Sequence, residues 1–151
     1  MRIITILLLL ATYSCTPKLA EVNKNNPASP FYLPDKEFFF FENGEWVKGT
    51  PDEEAETANY KPFLMALFSN LKYPAEARES WTQGTVLIEV TQDETGQILD
   101  ANIKRDLANG CGEAALTAFQ KVSKNNKLPP IYKNGIPQKV KHLMPLNFKL
   151  H

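Results

Sequence analysis

The rhythm of hydrophobic and polar positions changes several times along the chain. Residues 3–11 form an apolar run interrupted only by Thr5, with Arg2 ahead of it. Residues 16–37 are polar and broken by Pro17, Pro27, Pro30 and Pro34, which suits an extended tether. Four consecutive phenylalanines (residues 38–41) and then Glu42-Asn43-Gly44-Glu45-Trp46-Val47 make the strongest hairpin signal of the first half. Phenylalanine favours strands, and Asn-Gly suits a type I′ turn, whose two central residues both need positive φ. A lone hairpin is marginal in water. This ribbon is therefore expected either to dock on the rest of the chain or to present an aromatic patch to a partner.

From residue 60 the period lengthens. Phe63, Leu64, Leu67, Phe68 and Leu71 recur at helical spacing, and Pro62 fits the first turn of that helix. Pro74 opens a second, short helix over residues 75–80. After Gly84, the residues Val86, Ile88 and Val90 alternate with Thr85, Leu87, Glu89 and Thr91, which is strand period. Asp93-Glu94-Thr95-Gly96 reads as a turn, and residues 98–104 as the returning strand, with Leu99, Ala101 and Ile103 on one face. A further helix follows Asn109-Gly110-Cys111-Gly112 and carries Ala115, Leu116, Phe119 and Val122 on its apolar side. Pro129-Pro130 and Asn134-Gly135 mark an irregular connection. Residues 139–150 alternate again, with Val140, His142, Met144, Leu146, Phe148 and Leu150 on one side. The order helix, short helix, strand, strand, helix, strand predicts an α+β fold: a two-layer domain over residues 60–151, a three-stranded antiparallel sheet with helices packed on one face. Residues 38–59 then carry the hairpin and a linker.

Composition narrows the function. Lys+Arg and Asp+Glu balance at 17 each, so no basic face points to nucleic acid. The first apolar run falls far short of the roughly 20 residues that span a bilayer and fits the h-region of a signal peptide over residues 1–14. Thr12-Tyr13-Ser14-Cys15 resembles a loose lipobox, which makes Cys15 the candidate lipidation site and residues 15–37 a lipid-anchored tether. Ordinary cleavage near Ser14 and an uncleaved anchor are the alternatives. There are 2 cysteines. A lipidated Cys15 leaves Cys111 without a partner and rules out a disulfide framework.

No catalytic constellation and no metal or cofactor site can be assembled. The histidines are His142, on the last strand, and the terminal His151, with no ligand spacing between them. Phosphate loops and nucleophile elbows are absent. Cys111 at a helix start is expected to be a small buried residue where helix meets sheet rather than an activated thiolate. Asp93 and Glu94 are read as solvated turn residues. Asp52, Glu53, Glu54 and Glu56 are read as a polar face, since they lack the alternating ligands and turn glycine of a calcium loop.

Six short motifs stand in order. They are Tyr73-Pro74-Ala75-Glu76-Ala77-Arg78, Gly84-Thr85-Val86, Asp93-Glu94-Thr95-Gly96-Gln97-Ile98, Gly110-Cys111-Gly112-Glu113-Ala114-Ala115-Leu116, Asn134-Gly135-Ile136-Pro137, and the ending Leu143-Met144-Pro145-Leu146-Asn147-Phe148-Lys149-Leu150. Together they resemble the C-terminal domain of TonB-type energy transducers, in the form found in envelope lipoproteins of Bacteroidetes type. Trp81 and Thr82 stand where the family usually has glycine and an aliphatic residue. Leu128-Pro129-Pro130-Ile131 replaces its Trp-x-Pro-Gly.

The resemblance implies a non-enzymatic, periplasm-facing module of the cell envelope. Such a module binds an extended segment of a TonB-dependent outer-membrane receptor by strand addition, in energy-coupled uptake, here held to a membrane through the N-terminal lipid. The sequence itself points to an edge. Pro145 cannot donate to a ladder and belongs on an edge strand with its nitrogen outward. By strand parity Lys139, Lys141, Leu143 and Asn147 share that side and are the candidate partner-binding residues. The competing reading makes Pro145 a guard against aggregation. A separate alternative for the function is a structural envelope lipoprotein that reuses the fold without a receptor, contacting another envelope protein through the Phe38–Phe41 ribbon or forming a homodimer through the same edge.

Overall fold

A computed structural model describes residues 36–53 and 58–150 of the chain. The segment expected to be a signal peptide, Cys15, the expected tether up to residue 35, residues 54–57 with Glu54 and Glu56, and His151 lie outside the described residues. The elements, in order, are β1 (Phe38–Glu42), β2 (Glu45–Gly49), α1 (Lys61–Asn70), α2 (Ala75–Glu79), β3 (Gly84–Gln92), β4 (Ile98–Arg105), α3 (Cys111–Val122), β5 (Ile131–Lys133), β6 (Ile136–Gln138) and β7 (Val140–Phe148).

Strands β3, β4 and β7 form the antiparallel core of a sheet, and α3 lies over β3 and β4 with α1 packed against it. Val86, Ile88 and Val90 of β3 meet Leu146, Met144 and His142 of β7 across the ladder. The side chains of Val86, Ile88, Val90, Met144 and Leu146 are buried with Phe63, Leu67, Ala115, Phe119 and Val122 of the two long helices. The rings of Phe63 and Phe119 lie 5.6 Å apart, tilted. Each such side chain, fully buried, contributes about 1.5–3 kcal/mol, so this helix–sheet interface is the main source of stability.

The sheet has five strands rather than the expected three, in the order β2-β1-β7-β3-β4. The hairpin is the addition. Its Asn43-Gly44 turn has both residues at positive φ, 51° and 88°, and β1 pairs antiparallel with β7 through Phe38–His142, Phe39–Lys141 and Phe40–Val140. Alternation divides the four phenylalanines between the two faces. Phe40 is fully buried with Ile131 and Val140 in a small second core, and Phe38 packs beside it. Phe41 is 38% exposed. Polar contacts fix the same unit. Lys133 pairs with the Glu42 carboxylate, its ammonium lies 5.0 Å from the Phe40 ring centre, and both Asp52 carboxylate oxygens accept backbone N–H bonds from Asn134 and Gly135 at 2.9 and 2.8 Å.

Three local expectations change. Residues 131–138 are a second Asn-Gly hairpin, β5–β6, rather than an irregular connection. Leu99 is 53% exposed, because Gln92 pairs with Ile98 while Thr91 pairs with Asp100. The bulge leaves Leu99 unpaired and turns it out, and Ile98 packs on the core in its place. Phe68 is also 53% exposed. Phe63 and Leu67 are the buried residues of α1.

Candidate functional site

The last strand carries the candidate site, so the direction of its backbone groups matters first. All nine residues of β7 pair with β3 in an unbroken antiparallel register, from Gln92–Val140 to Gly84–Phe148. In such a ladder alternate residues turn both backbone groups to the same side. The Thr85 carbonyl accepts from Arg105 Nε and Nη2 at 3.2 and 3.1 Å and so faces β4. Its partner Asn147 therefore has its backbone groups on the side of β7 away from β3, and Pro145, Leu143 and Lys141 share that parity. The Phe41 N–H donating to the Lys139 carbonyl at 3.0 Å continues the same side.

The hairpin divides this side into two halves. At Lys139 and Lys141 it is taken by β1, so these two residues offer no free edge groups. This corrects the expectation that all four candidates lie on an open edge. The cause is the docking of Phe38 and Phe40, which lays β1 along the first third of β7. The lysine side chains cover the hairpin's outer face. Lys139 Nζ lies 4.5 Å from the Phe41 ring centre and 5.8 Å from that of Trp46, and Lys141 Nζ lies 4.6 Å from Trp46. Such contacts contribute about 0.5–1 kcal/mol each at exposed sites.

Residues 143–148 have no strand on that side among the described residues. Their outward backbone groups are the C=O of Pro145 and the N–H and C=O of Asn147, together with those of Leu143, which the register sets beside Glu37 at the end of β1 and whose backbone also hydrogen-bonds the His142 ring. Leu143 is half-buried, whereas Pro145 and Asn147 are exposed. The Thr85 hydroxyl donates to Asn147 Oδ1, which ties that side chain to β3 and leaves its main chain uncovered. The opposite face of the same segment is anchored in the core by Met144, Leu146 and Phe148. The result is a short, rigid, polar edge on an apolar base.

The remaining chemical groups are structural. Cys111 is fully buried. Burial, and secondarily the nearby Asp106 charge, push its thiol pKa up, which disfavours the reactive thiolate. The Asp106 carboxylate accepts the Gly112 N–H at 2.7 Å at the start of α3. Burial opposes ionisation of Asp93, but hydrogen bonds from Thr95 and Gln97 and the charge of Lys127 outweigh it and hold the carboxyl below its usual range. Asp93 therefore braces its turn rather than standing free in solvent. His142 is buried, with Nε2 3.0 Å from Gln92 Oε1 and Phe38 stacked on its ring at 5.7 Å. Among the described residues no group of three acidic, histidine or cysteine side chains could hold a metal ion. No helix among them is long and apolar enough to cross a membrane.

A sequence profile described as "Gram-negative bacterial TonB protein C-terminal" matches residues 69–150. The matched segment runs from the end of α1 to the end of β7 and leaves the β1–β2 hairpin outside. Two solution structures of the Helicobacter pylori TonB C-terminal domain resemble the fold. The longer fragment has 22% identity over 68% of this chain and 97% of that one, with a TM-score of 0.45. The shorter has 21% identity over 58% and 92%, with a TM-score of 0.41. No curated protein sequence matches the chain. The profile match spans more than half of the chain, and on that basis the chain belongs to the family of TonB protein C-terminal domains of Gram-negative bacteria.

Proposed function

We propose that this chain is a TonB-like protein-binding module of a periplasm-facing envelope lipoprotein, anchored through Cys15. It takes an extended segment of an outer-membrane receptor as an added strand along residues 143–148. The supporting observation is the uncovered half of β7, where Leu143, Pro145 and Asn147 turn backbone groups outward and no described strand meets them. Main-chain hydrogen bonds supply the affinity, and pockets for alternate side chains supply selectivity. The proline limits the ladder. A partner residue opposite Pro145 can donate to its carbonyl but receives nothing back, so the bound strand is held by a pair of bonds at Leu143, a pair at Asn147 and one between.

The test is backbone NMR of residues 16–151 titrated with peptides from the periplasmic N-terminal segments of the host's outer-membrane receptors. Saturable shifts are expected at Leu143 and Asn147, with Lys139 and Lys141 unmoved because β1 covers them. Shifts confined to β4, or silence from every peptide, would overturn the assignment. Lipidation has its own check: the Cys15→Ser variant is expected to leave the membrane fraction.

A further inference from the structure

The open stretch of β7 begins where β1 ends, and β1 points along it. The ladder between the two strands closes with the pair Phe38–His142, after Phe40–Val140 and Phe39–Lys141. Because the strands are antiparallel, the chain reaches Phe38 from the side of Leu143. Strand alternation holds at this end of β1. Phe38 stacks on the buried His142 ring, with 5.7 Å between centres. Glu37 turns to the other face of the sheet, where its carboxylate pairs with Lys48, the β2 neighbour of Phe39. With both side chains held in this way, Glu37 stands beside Leu143 and the residues before it enter the line of the edge.

Continued upstream without a bulge, the same register sets Lys36 beside Met144, Asp35 beside Pro145, Pro34 beside Leu146, Leu33 beside Asn147 and Tyr32 beside Phe148. The backbone chemistry of these pairs is compatible throughout. The Phe41 N–H donates to the Lys139 carbonyl, so in this line the odd-numbered residues turn their backbone groups toward β7. Asp35 then offers its N–H to the Pro145 carbonyl, and Leu33 exchanges two bonds with Asn147. Pro34 falls at an outward position, where a missing N–H costs no ladder bond. The segment from Tyr32 to Glu37 is as long as the edge from Leu143 to Phe148.

We infer that residues 32–37 extend β1 along Leu143–Phe148, so that the chain's own tether occupies the strand-addition edge until a partner displaces it. For the partner this rests on the strand-addition reading, and it adds how that site is regulated. The tether has an advantage over any other occupant, since β1 delivers it to the edge covalently and in register. A covered edge is protected against aggregation. An incoming strand binds only the molecules in which the edge is open, and its apparent affinity falls by that fraction.

The experiment uses the full chain in detergent micelles, first without any peptide. Antiparallel pairing brings Hα atoms together at the pairs that exchange no hydrogen bond. Nuclear Overhauser contacts are therefore expected between Lys36 and Met144 and between Pro34 and Leu146, with slowed exchange of the Asn147 amide. Leu33→Pro combined with Asp35→Pro removes the donors that face β7. This variant is expected to lose the contacts, to exchange Asn147 roughly tenfold faster or more, and to bind receptor peptides several-fold more tightly. Tyr32→Pro combined with Lys36→Pro places as many prolines at outward positions and is expected to behave like the parent. Substitutions in the edge itself act on tether and peptide alike, so their effect on peptide affinity is read in the Leu33→Pro, Asp35→Pro background. Absent contacts and an unprotected Asn147 in the parent would overturn the tether strand and leave the receptor reading standing. Identical behaviour of the two proline variants would overturn the register. Contacts seen only between labelled and unlabelled chains in a mixed sample would make a second copy the occupant and overturn it too. Contacts that appear within one chain, with no peptide shifting Leu143 or Asn147 in either variant, would keep the tether strand and remove the receptor.

Discussion

At the scale of single residues, His142 shows how burial sets chemistry in this sheet. Loss of water on burial favours the neutral ring and outweighs the opposing backbone hydrogen bond at Leu143, so its pKa is lowered from 6.5 to about 4. In the unfolded chain the ring takes up a proton below about pH 6.5, whereas the native ring resists until about pH 4. Across that window the unfolded state binds more protons, so stability falls as pH falls. The span corresponds to roughly 3 kcal/mol. His142→Gln, which keeps an amide donor for Gln92 and does not titrate, is expected to flatten the pH dependence of urea midpoints between pH 6.5 and 4. An unchanged slope would place the acid sensitivity elsewhere. Gly96 is a second residue whose identity is dictated by its surroundings. It has φ 83°, and a Cβ there would sit 1.8 Å from the Leu128 carbonyl oxygen, whose residue also donates to the Gly96 carbonyl. Gly96→Ala combines left-handed strain with backbone displacement and is expected to cost upwards of about 2 kcal/mol in thermal or urea unfolding.

At the scale of elements, the β1–β2 hairpin decides how much of β7 remains available. Its Asn43-Gly44 turn was legible in the sequence because type I′ geometry demands such residues. Its neighbour was not, because a period of two reports which face a strand buries and is silent about which strand it pairs with. Leu99 and Phe68 were misplaced for a related reason. A bulge shifts parity by one residue, and the covered width of a helix depends on what packs against it. Pro145 gave information of a different kind, since its missing N–H bears on the direction of backbone groups. It could not tell that the chain's own Phe38 and Phe40 would cover the first third of the same side. The hairpin can be loosened through Phe40, which is fully buried in the small core with Ile131 and Val140. Phe40→Ala is expected to cost about 3–5 kcal/mol, concentrated in that core. Hydrogen exchange should then accelerate at Phe39 and Phe41 far more than in β3, and receptor peptides should begin to shift Lys139 and Lys141. Uniform acceleration across the whole sheet would show that hairpin and domain unfold as one unit.

At the scale of the whole molecule, helices cover one face of the sheet, the hairpin covers one end of β7, and a short edge is left that could receive a second copy as readily as a foreign strand. Pairing rules argue against the copy. Antiparallel self-pairing with the greatest overlap puts a two-fold axis on Pro145 and matches Leu143 with Asn147 in both directions. Its central pair is then proline against proline, two carbonyls facing each other with no N–H between them. Shorter registers either lose a bonded pair or run into β1 at Lys141. The same proline costs a heterologous strand only one bond, so it discriminates against self-association more than against a partner. Pro145→Val restores the missing donor. A hydrogen bond contributes about 0.5–1.5 kcal/mol, and the two-fold arrangement gains two at once while a bound peptide gains one. The valine variant is therefore expected to self-associate in sedimentation equilibrium at concentrations where the parent is monomeric, and to bind receptor peptide several-fold more tightly at low concentration. A valine variant that stays monomeric and binds peptide no better would mean that backbone donors on this side of β7 are not the groups a partner uses, and the binding surface would have to be sought on another edge.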